Sequence, residues 1–372
     1  MRHYLDHAST SPLRPAARDA LVAALGAGWG DPSRIHEEGM AARHALEAAR
    51  EQVATFLGCR SSREVVFTSG ATEAIAAAAW GAADRGARQV VTAVEHSAVR
   101  LATAHHGPVT VVPVDRGGRV AVDDVIAALD DDVACVHVQW ANHEVGTVQP
   151  VVEVVAACRE RGVLVHVDAA QAAGRTPIDF AAIGADLLSV SAHKLGGPAG
   201  VGALLVRRGL RVRPLLVGGD QERARRAGYE PVAAAVAFGA ACASIDIERE
   251  SGEQRELTDR VRDAVPQWEG VDVYGDALHH LDHLVCLGFA DVEPQAVLLG
   301  LDRAGVAVHS GSACASESLE PSPVLEAMGV DAHRSLRASV GWSSTDADVD
   351  AFIAAVPQVL ASLRALGTNP RQ

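Results

Sequence analysis

The chain has 372 residues, of which 48% are apolar, and its 47 acidic against 33 basic side chains give a formal charge of −14. That length exceeds what one compact core usually fills and predicts two domains, while the acidic balance excludes direct, non-specific binding to nucleic acid or to an anionic membrane. Residues 1–5 show no charged and apolar leader, and no apolar run nears the roughly 20 residues that span a bilayer, so a cytoplasmic location is expected.

Runs rich in Val, Leu and Ala occur at 64–68, 89–92, 109–112, 133–138, 164–167, 187–190 and 201–206, separated by segments of helical length. Continuous apolar runs of this kind are expected of strands buried on both faces of a mostly parallel sheet, which makes the first part of the chain α/β. Helix starts are predicted at Ser69-Gly70, before 71–80, and at Asp123-Asp124, before 125–129, where small or acidic residues meet free N–H groups. The Ala-rich segment 231–247 is predicted as one long helix leaving the sheet. Charge density then rises over 248–263, with strands predicted at 281–289 and 335–340 and helices at 294–304 and 346–366. The domain assignment is therefore a large α/β domain at 16–247 and a smaller α+β domain made of 1–15 and 248–372.

Six cysteines are scattered without CxxC pairs or metal-ligand spacing, which argues against a disulfide framework and against a metal site. Most are expected to be buried. Only Cys314 stands in a polar, small-residue segment, His309-Ser310-Gly311-Ser312-Ala313-Cys314-Ala315-Ser316, and this loop, about 309–323, is expected to be mobile with a thiol available as a nucleophile. An incidental surface cysteine is the plainer alternative.

Four further segments carry chemistry. Ser191-Ala192-His193-Lys194, between a buried strand and a Gly-rich turn, sets an amine among phosphate-compatible donors, as a Schiff base to pyridoxal phosphate requires; an exposed strand-end lysine would read the same way alone. Asp168, at the end of another apolar run, suits the carboxylate that keeps a pyridine nitrogen protonated, or a helix N-cap. Phe67-Thr68-Ser69-Gly70-Ala71-Thr72-Glu73 reads as strand, glycine turn and helix start, a cradle for a phosphate. His96, just beyond a strand, is placed to stack on a cofactor ring and move a proton, although a lone histidine is more often structural.

With these segments, Tyr4 to Pro12, Asp31 to His36, Asn142-His143-Glu144-Val145-Gly146-Thr147, Gly218 to Arg223 and Ser335 to Gly341 appear in an order that resembles the cysteine desulfurases of the NifS/IscS type, within the class-V aminotransferases. The resemblance covers nearly the whole chain and implies a fold-type I pyridoxal-phosphate transferase. It implies that Lys194 carries the cofactor, that Thr72, Ser191 and His193 bind its phosphate with Ala71 also at the cofactor, that Asp168 meets the pyridine nitrogen and Gln171 the phenolate oxygen, and that His96 lies over the ring. Asn142 and His143 are implied at the cofactor, with Asn142 and Arg337 toward substrate. Tyr229 is implied to reach the phosphate of a second copy in a homodimer. His143 and Tyr229 stand where the family has Asn and Thr.

The implied reaction turns L-cysteine into L-alanine and leaves sulfur as a persulfide on Cys314, for an acceptor protein such as those of iron–sulfur cluster assembly. The alternatives are a C–S β-lyase or selenocysteine lyase with the same cofactor, and a non-catalytic scaffold.

Overall fold

The computed structural model describes residues 2–27, 29–310 and 321–367. Seven strands form the central sheet: β1 (Val65–Thr68), β2 (Arg88–Thr92), β3 (Val109–Val112), β4 (Val133–Gln139), β5 (Leu164–Asp168), β6 (Leu187–Ser191) and β7 (Gly202–Val206). Their order is β1-β7-β6-β5-β4-β2-β3, with β2 to β6 mutually parallel and β7 antiparallel to both β1 and β6. Every residue of β1, β4, β5, β6 and β7 is buried, which is why these segments read as mainly apolar runs, broken by a few polar side chains, rather than alternating ones. Each Val or Leu side chain so removed from water contributes about 1.5–3 kcal/mol before entropy is counted.

Helices α1 (Pro15–Ala27) and α2 (Glu37–Phe56) pack against α5 (Val232–Ala243) on one face of the sheet, while α3 (Ala71–Ala82) and α4 (Ser97–His106) cover the other. Helix α5 is apolar around its whole circumference because it is enclosed by its neighbours. The expected single helix over 231–247 is interrupted. It ends at Ala243, and α6 (Ile247–Ala264) starts anew behind Asp246, whose carboxylate caps the Arg249 N–H at 3.1 Å. Likewise the helix expected to follow Asp123-Asp124 begins at Val122, with both acids inside its first turn, where they favour the positive end of the helix dipole.

A second, antiparallel sheet runs β10-β9-β8, from β8 (Val271–Tyr274), β9 (Leu284–Phe289) and β10 (Ser335–Ser339). The strand His3–Tyr4 pairs in parallel with Val306–Ala307, and Leu5 joins the apolar cluster built from α6, β9, β10 and the helix Asp346–Gly367. By length and composition that last helix could cross a membrane, contrary to the sequence reading, yet Val349, Phe352, Val356 and Leu360 are buried in this cluster. The sheet and this cluster are separate apolar cores, and we propose them as the two domains divided at 16–247 against 1–15 with 248–372.

Candidate active site

Parallel strands present their C-terminal ends on one sheet edge, and the loops leaving β2, β4, β5 and β6 there carry Glu95-His96, Asn142-His143, Asp168 to Gln171 and Ser191 to Lys194. The turn between β1 and α3 closes the fourth side. Together they line a cavity of about 450 Å³ bounded by Ala71, Thr72, His96, His143, Asp168 and Lys194, among others. Gly70 takes a φ of +155° ahead of α3 with no side-chain cap, so the first N–H groups of that helix stay available. A Cβ on Gly202 would lie 2.5 Å from the Val190 carbonyl and 2.7 Å from Gly70 Cα, so only glycine lets the turn sit against the sheet.

Electrostatics follow from burial. Lys194 donates to the Ala8 carbonyl at 2.5 Å, and burial, helped by the nearby Arg337 guanidinium, lowers its amine to about 7. Asp168 accepts from the Ala170 N–H at 3.0 Å and lies 3.2 Å from Ser189 Oγ; burial pushes its carboxyl upward. It thus caps its own turn and faces the cavity at once. Burial, with His143 and Lys194 nearby, lowers His96 to about 3. His96 Nδ1 accepts the Ala98 N–H at 3.1 Å, so the neutral ring carries its proton on Nε2. The His96 and His143 rings meet edge to face at 5.0 Å, and Glu95 behind them is raised to about 8 by burial.

Of the residues expected from sequence, Ala71, Thr72, His96, His143, Asp168, Gln171, Ser191, His193 and Lys194 all line this cavity. Asn142 is buried behind the wall, holding its loop through Val94 O at 3.1 Å and the Glu144 and Val145 N–H groups. Arg337 also lies outside the lining. It donates to His143 O at 2.6 Å, to Asp6 at 2.9 Å and to Ser9 at 2.6 Å, and its Nε is buried without a partner among the described residues. Tyr229 is exposed, is not among the residues that line the cavity, and donates to Gly30 O at 3.0 Å. Cys314 and most of its loop lie outside the described residues.

Sequence reasoning gave no role to the N-terminal segment, whose Ala8 carbonyl receives both Lys194 Nζ and Gln171 Nε2, and whose Thr10 hydroxyl lies 3.2 Å from His193 Nδ1. Contacts through a backbone carbonyl leave no trace in residue type. Glu73 was also passed over: it accepts from the Ser69 N–H at 2.8 Å and from Arg226 at 2.9 Å, tying the turn to the 221–230 segment.

The chain belongs to the aminotransferase class-V family, whose profile matches residues 3–352. Within that family it is 41% identical to the cysteine desulfurase of Cereibacter sphaeroides, over 98% of this chain and 97% of that one. It is 38% identical to the cysteine desulfurase IscS of Dictyoglomus turgidum, over 98% and 95% respectively. A solved NifS-like protein superposes with a TM-score of 0.91 at 30% identity, covering 98% of this chain and all of the other. The fold is that of the NifS-like, fold-type I enzymes.

Proposed function

We propose that the chain is a pyridoxal-phosphate-dependent cysteine desulfurase that converts L-cysteine to L-alanine and holds the sulfur as a persulfide on Cys314. The observation that carries this reading is the meeting of Lys194, Asp168, His96 and the Gly70 turn around one cavity, in a chain whose relatives are named for that activity. The cavity suits the group: uncapped helix N–H groups and the Thr72 side chain for a phosphate, a buried carboxyl for a ring nitrogen, an imidazole for the ring face and an amine of lowered pKa for an aldehyde. Pyridoxal phosphate, when bound, supplies an electron sink for the bonds at the substrate Cα and Cβ.

The chain's own residues do the rest. Lys194, about half uncharged at neutral pH, can bond an aldehyde carbon and, once free, take a proton from the substrate Cα. Asp168 holds or gives up a proton at the ring nitrogen, and neutral His96 can donate from Nε2. Arg337 has the fork geometry for a carboxylate. The Cys314 thiolate attacks the cysteine sulfur: the substrate Cβ–S bond breaks, an S–S bond forms, and cysteine plus thiol become alanine plus persulfide, with no outside oxidant or reductant.

Tyr229, exposed and not among the residues that line its own cavity, is proposed to reach the phosphate of a second copy in a homodimer. The cysteines among the described residues are free thiols, which suits the reducing cytoplasm. A lyase would share the cavity but has no use for Cys314.

Borohydride reduction of the cofactor-loaded protein, followed by peptide mapping, tests the site. The adduct is expected on Lys194, the one lysine of the sequence, and absent from Lys194→Ala; a cofactor-loaded native protein that yields no reducible Lys194 adduct contradicts the assignment.

A further inference from the structure

One buried guanidinium beside Lys194 has no carboxylate of its own. Arg175, in the stretch between β5 and β6, donates through Nη1 to Gln254 Oε1 on α6 at 3.2 Å, and through Nη2 to Ser11 Oγ at 3.1 Å and to the Lys194 carbonyl at 3.3 Å. All three acceptors are uncharged. Glu250, one turn before Gln254 on the same buried face of α6, is taken by Arg14, which grips both its oxygens at 2.8 and 2.6 Å. Arg175 therefore forms no ion pair among the described residues. Burial lowers it only to about 10, so it stays a cation at neutral pH. A buried cation without a counter-ion is strongly unfavourable, and an amide or apolar side chain would fill the same space without that cost. Packing alone does not account for an arginine here.

The same arginine belongs to a set of contacts that fixes the backbone under Lys194. The Ser11 N–H donates to His193 O at 2.9 Å, Ser11 Oγ to Lys194 O at 3.2 Å, Arg14 Nε to Leu195 O at 2.8 Å and the Arg14 N–H to Gly196 O at 2.9 Å. Four successive carbonyls are held in this way, while the Lys194 amine turns back to Ala8 O. The charged groups that face that amine are Arg337 from β10, Asp168 from the end of β5, Asp6 from the N-terminal segment, and Arg175. His96, His193, His283 and His309 also face it, each held below the usual histidine range by burial. Arg337 and Asp6 pair with each other at 2.9 Å, which leaves Arg175 and Asp168 acting on the amine in opposite directions.

We propose that Arg175 is a positioning residue for Lys194, whose guanidinium holds the Lys194 carbonyl and sets an unbalanced positive charge beside the amine, so that the amine stays able to bond an aldehyde carbon. The inference rests on the reading of Lys194 as the residue that takes up the cofactor. A cation facing an amine disfavours its charged form, so removing Arg175 must raise the protonation constant of Lys194.

Lys194 is the one lysine of the sequence, so the full chain labelled with carbon-13 lysine and free of cofactor gives a single Cε signal, whose pH titration reads this amine directly. The native inflection is expected at about 7. Arg175→Gln should raise it about threefold, half a pH unit. Ser11→Ala, which removes a hydrogen bond from both Arg175 and the Lys194 carbonyl without changing any charge, should leave it in place. An inflection unmoved in Arg175→Gln, or raised as far in Ser11→Ala, overturns the proposal, since a merely structural role would not separate the two variants. Should Arg175→Gln fail to fold, Gln254→Glu sets a carboxylate against the guanidinium at the same contact and should raise the inflection as well; an unmoved one there also overturns the proposal. The reading of Lys194 fails separately, if the cofactor-loaded native protein yields no reducible Lys194 adduct, and the titration is made without cofactor in either case.

Discussion

The amine of Lys194 offers the sharpest quantitative check, because its availability is set by burial and can be followed by pH alone. An ordinary lysine at 10.5 has about one uncharged amine in 3,000 at pH 7, whereas Lys194, lowered to about 7, has about one in two. Burial is the main cause and the Arg337 guanidinium adds to it, while Asp168 and Asp6 pull the other way without reversing the result. Since only the uncharged amine bonds an aldehyde carbon, the cofactor-free protein should offer a reactive lysine roughly a thousandfold more abundant at pH 7 than a surface one. The assay is rapid mixing with pyridoxal phosphate across about pH 6 to 9, following absorbance, with Lys194→Ala as the blank. The rate should climb with pH through about 7 and then level off, because His96 near 3 and His193 near 4 stay neutral throughout that window. A rate that keeps rising toward the pH of an ordinary lysine would refute the argument.

Two substitutions extend the account. Arg50→Ala should cost about 3–5 kcal/mol by chemical denaturation, since it strands the buried Glu222, which Arg50 holds through bonds of 2.6 and 2.8 Å; a loss below about 1 kcal/mol would show the pair to be dispensable. Arg337→Lys, which keeps the charge and removes the fork, should raise the KM for cysteine about tenfold or more while leaving pyridoxal-phosphate binding intact, and an unchanged KM would move the carboxylate site elsewhere.

The central sheet was legible in the sequence because β1 and β4 to β7 are buried on both faces, so most residues in them are apolar. Strand β8 was not, for Asp272 and Val273 are exposed on a sheet that water reaches, and four residues with one polar side chain resemble a loop. The break between α5 and α6 was missed because Ser244 to Asp246 is short and lies in an otherwise helical composition; only the Asp246 cap reveals the stop. At the site, residues that follow strands with a distinctive chemistry were visible: Lys194, Asp168, His96. The contact between His137 and His166 was invisible, because the two read as polar interruptions in apolar runs until the parallel register of β4 and β5 sets them opposite each other.

The most direct test of the desulfurase reading measures alanine, pyruvate and protein-bound sulfane sulfur together, in the native protein and in Cys314→Ser, after adding L-cysteine. The native protein should release alanine and carry one extra sulfur that mass spectrometry maps to Cys314. Cys314→Ser should still load pyridoxal phosphate and bind cysteine, since Lys194 and Asp168 are untouched, yet make almost no alanine and hold no sulfur, because a serine hydroxyl is too weakly acidic and too hard a nucleophile to take sulfur from a thiol. Near-native turnover by Cys314→Ser, with sulfide released to solution, would contradict the account and identify a lyase.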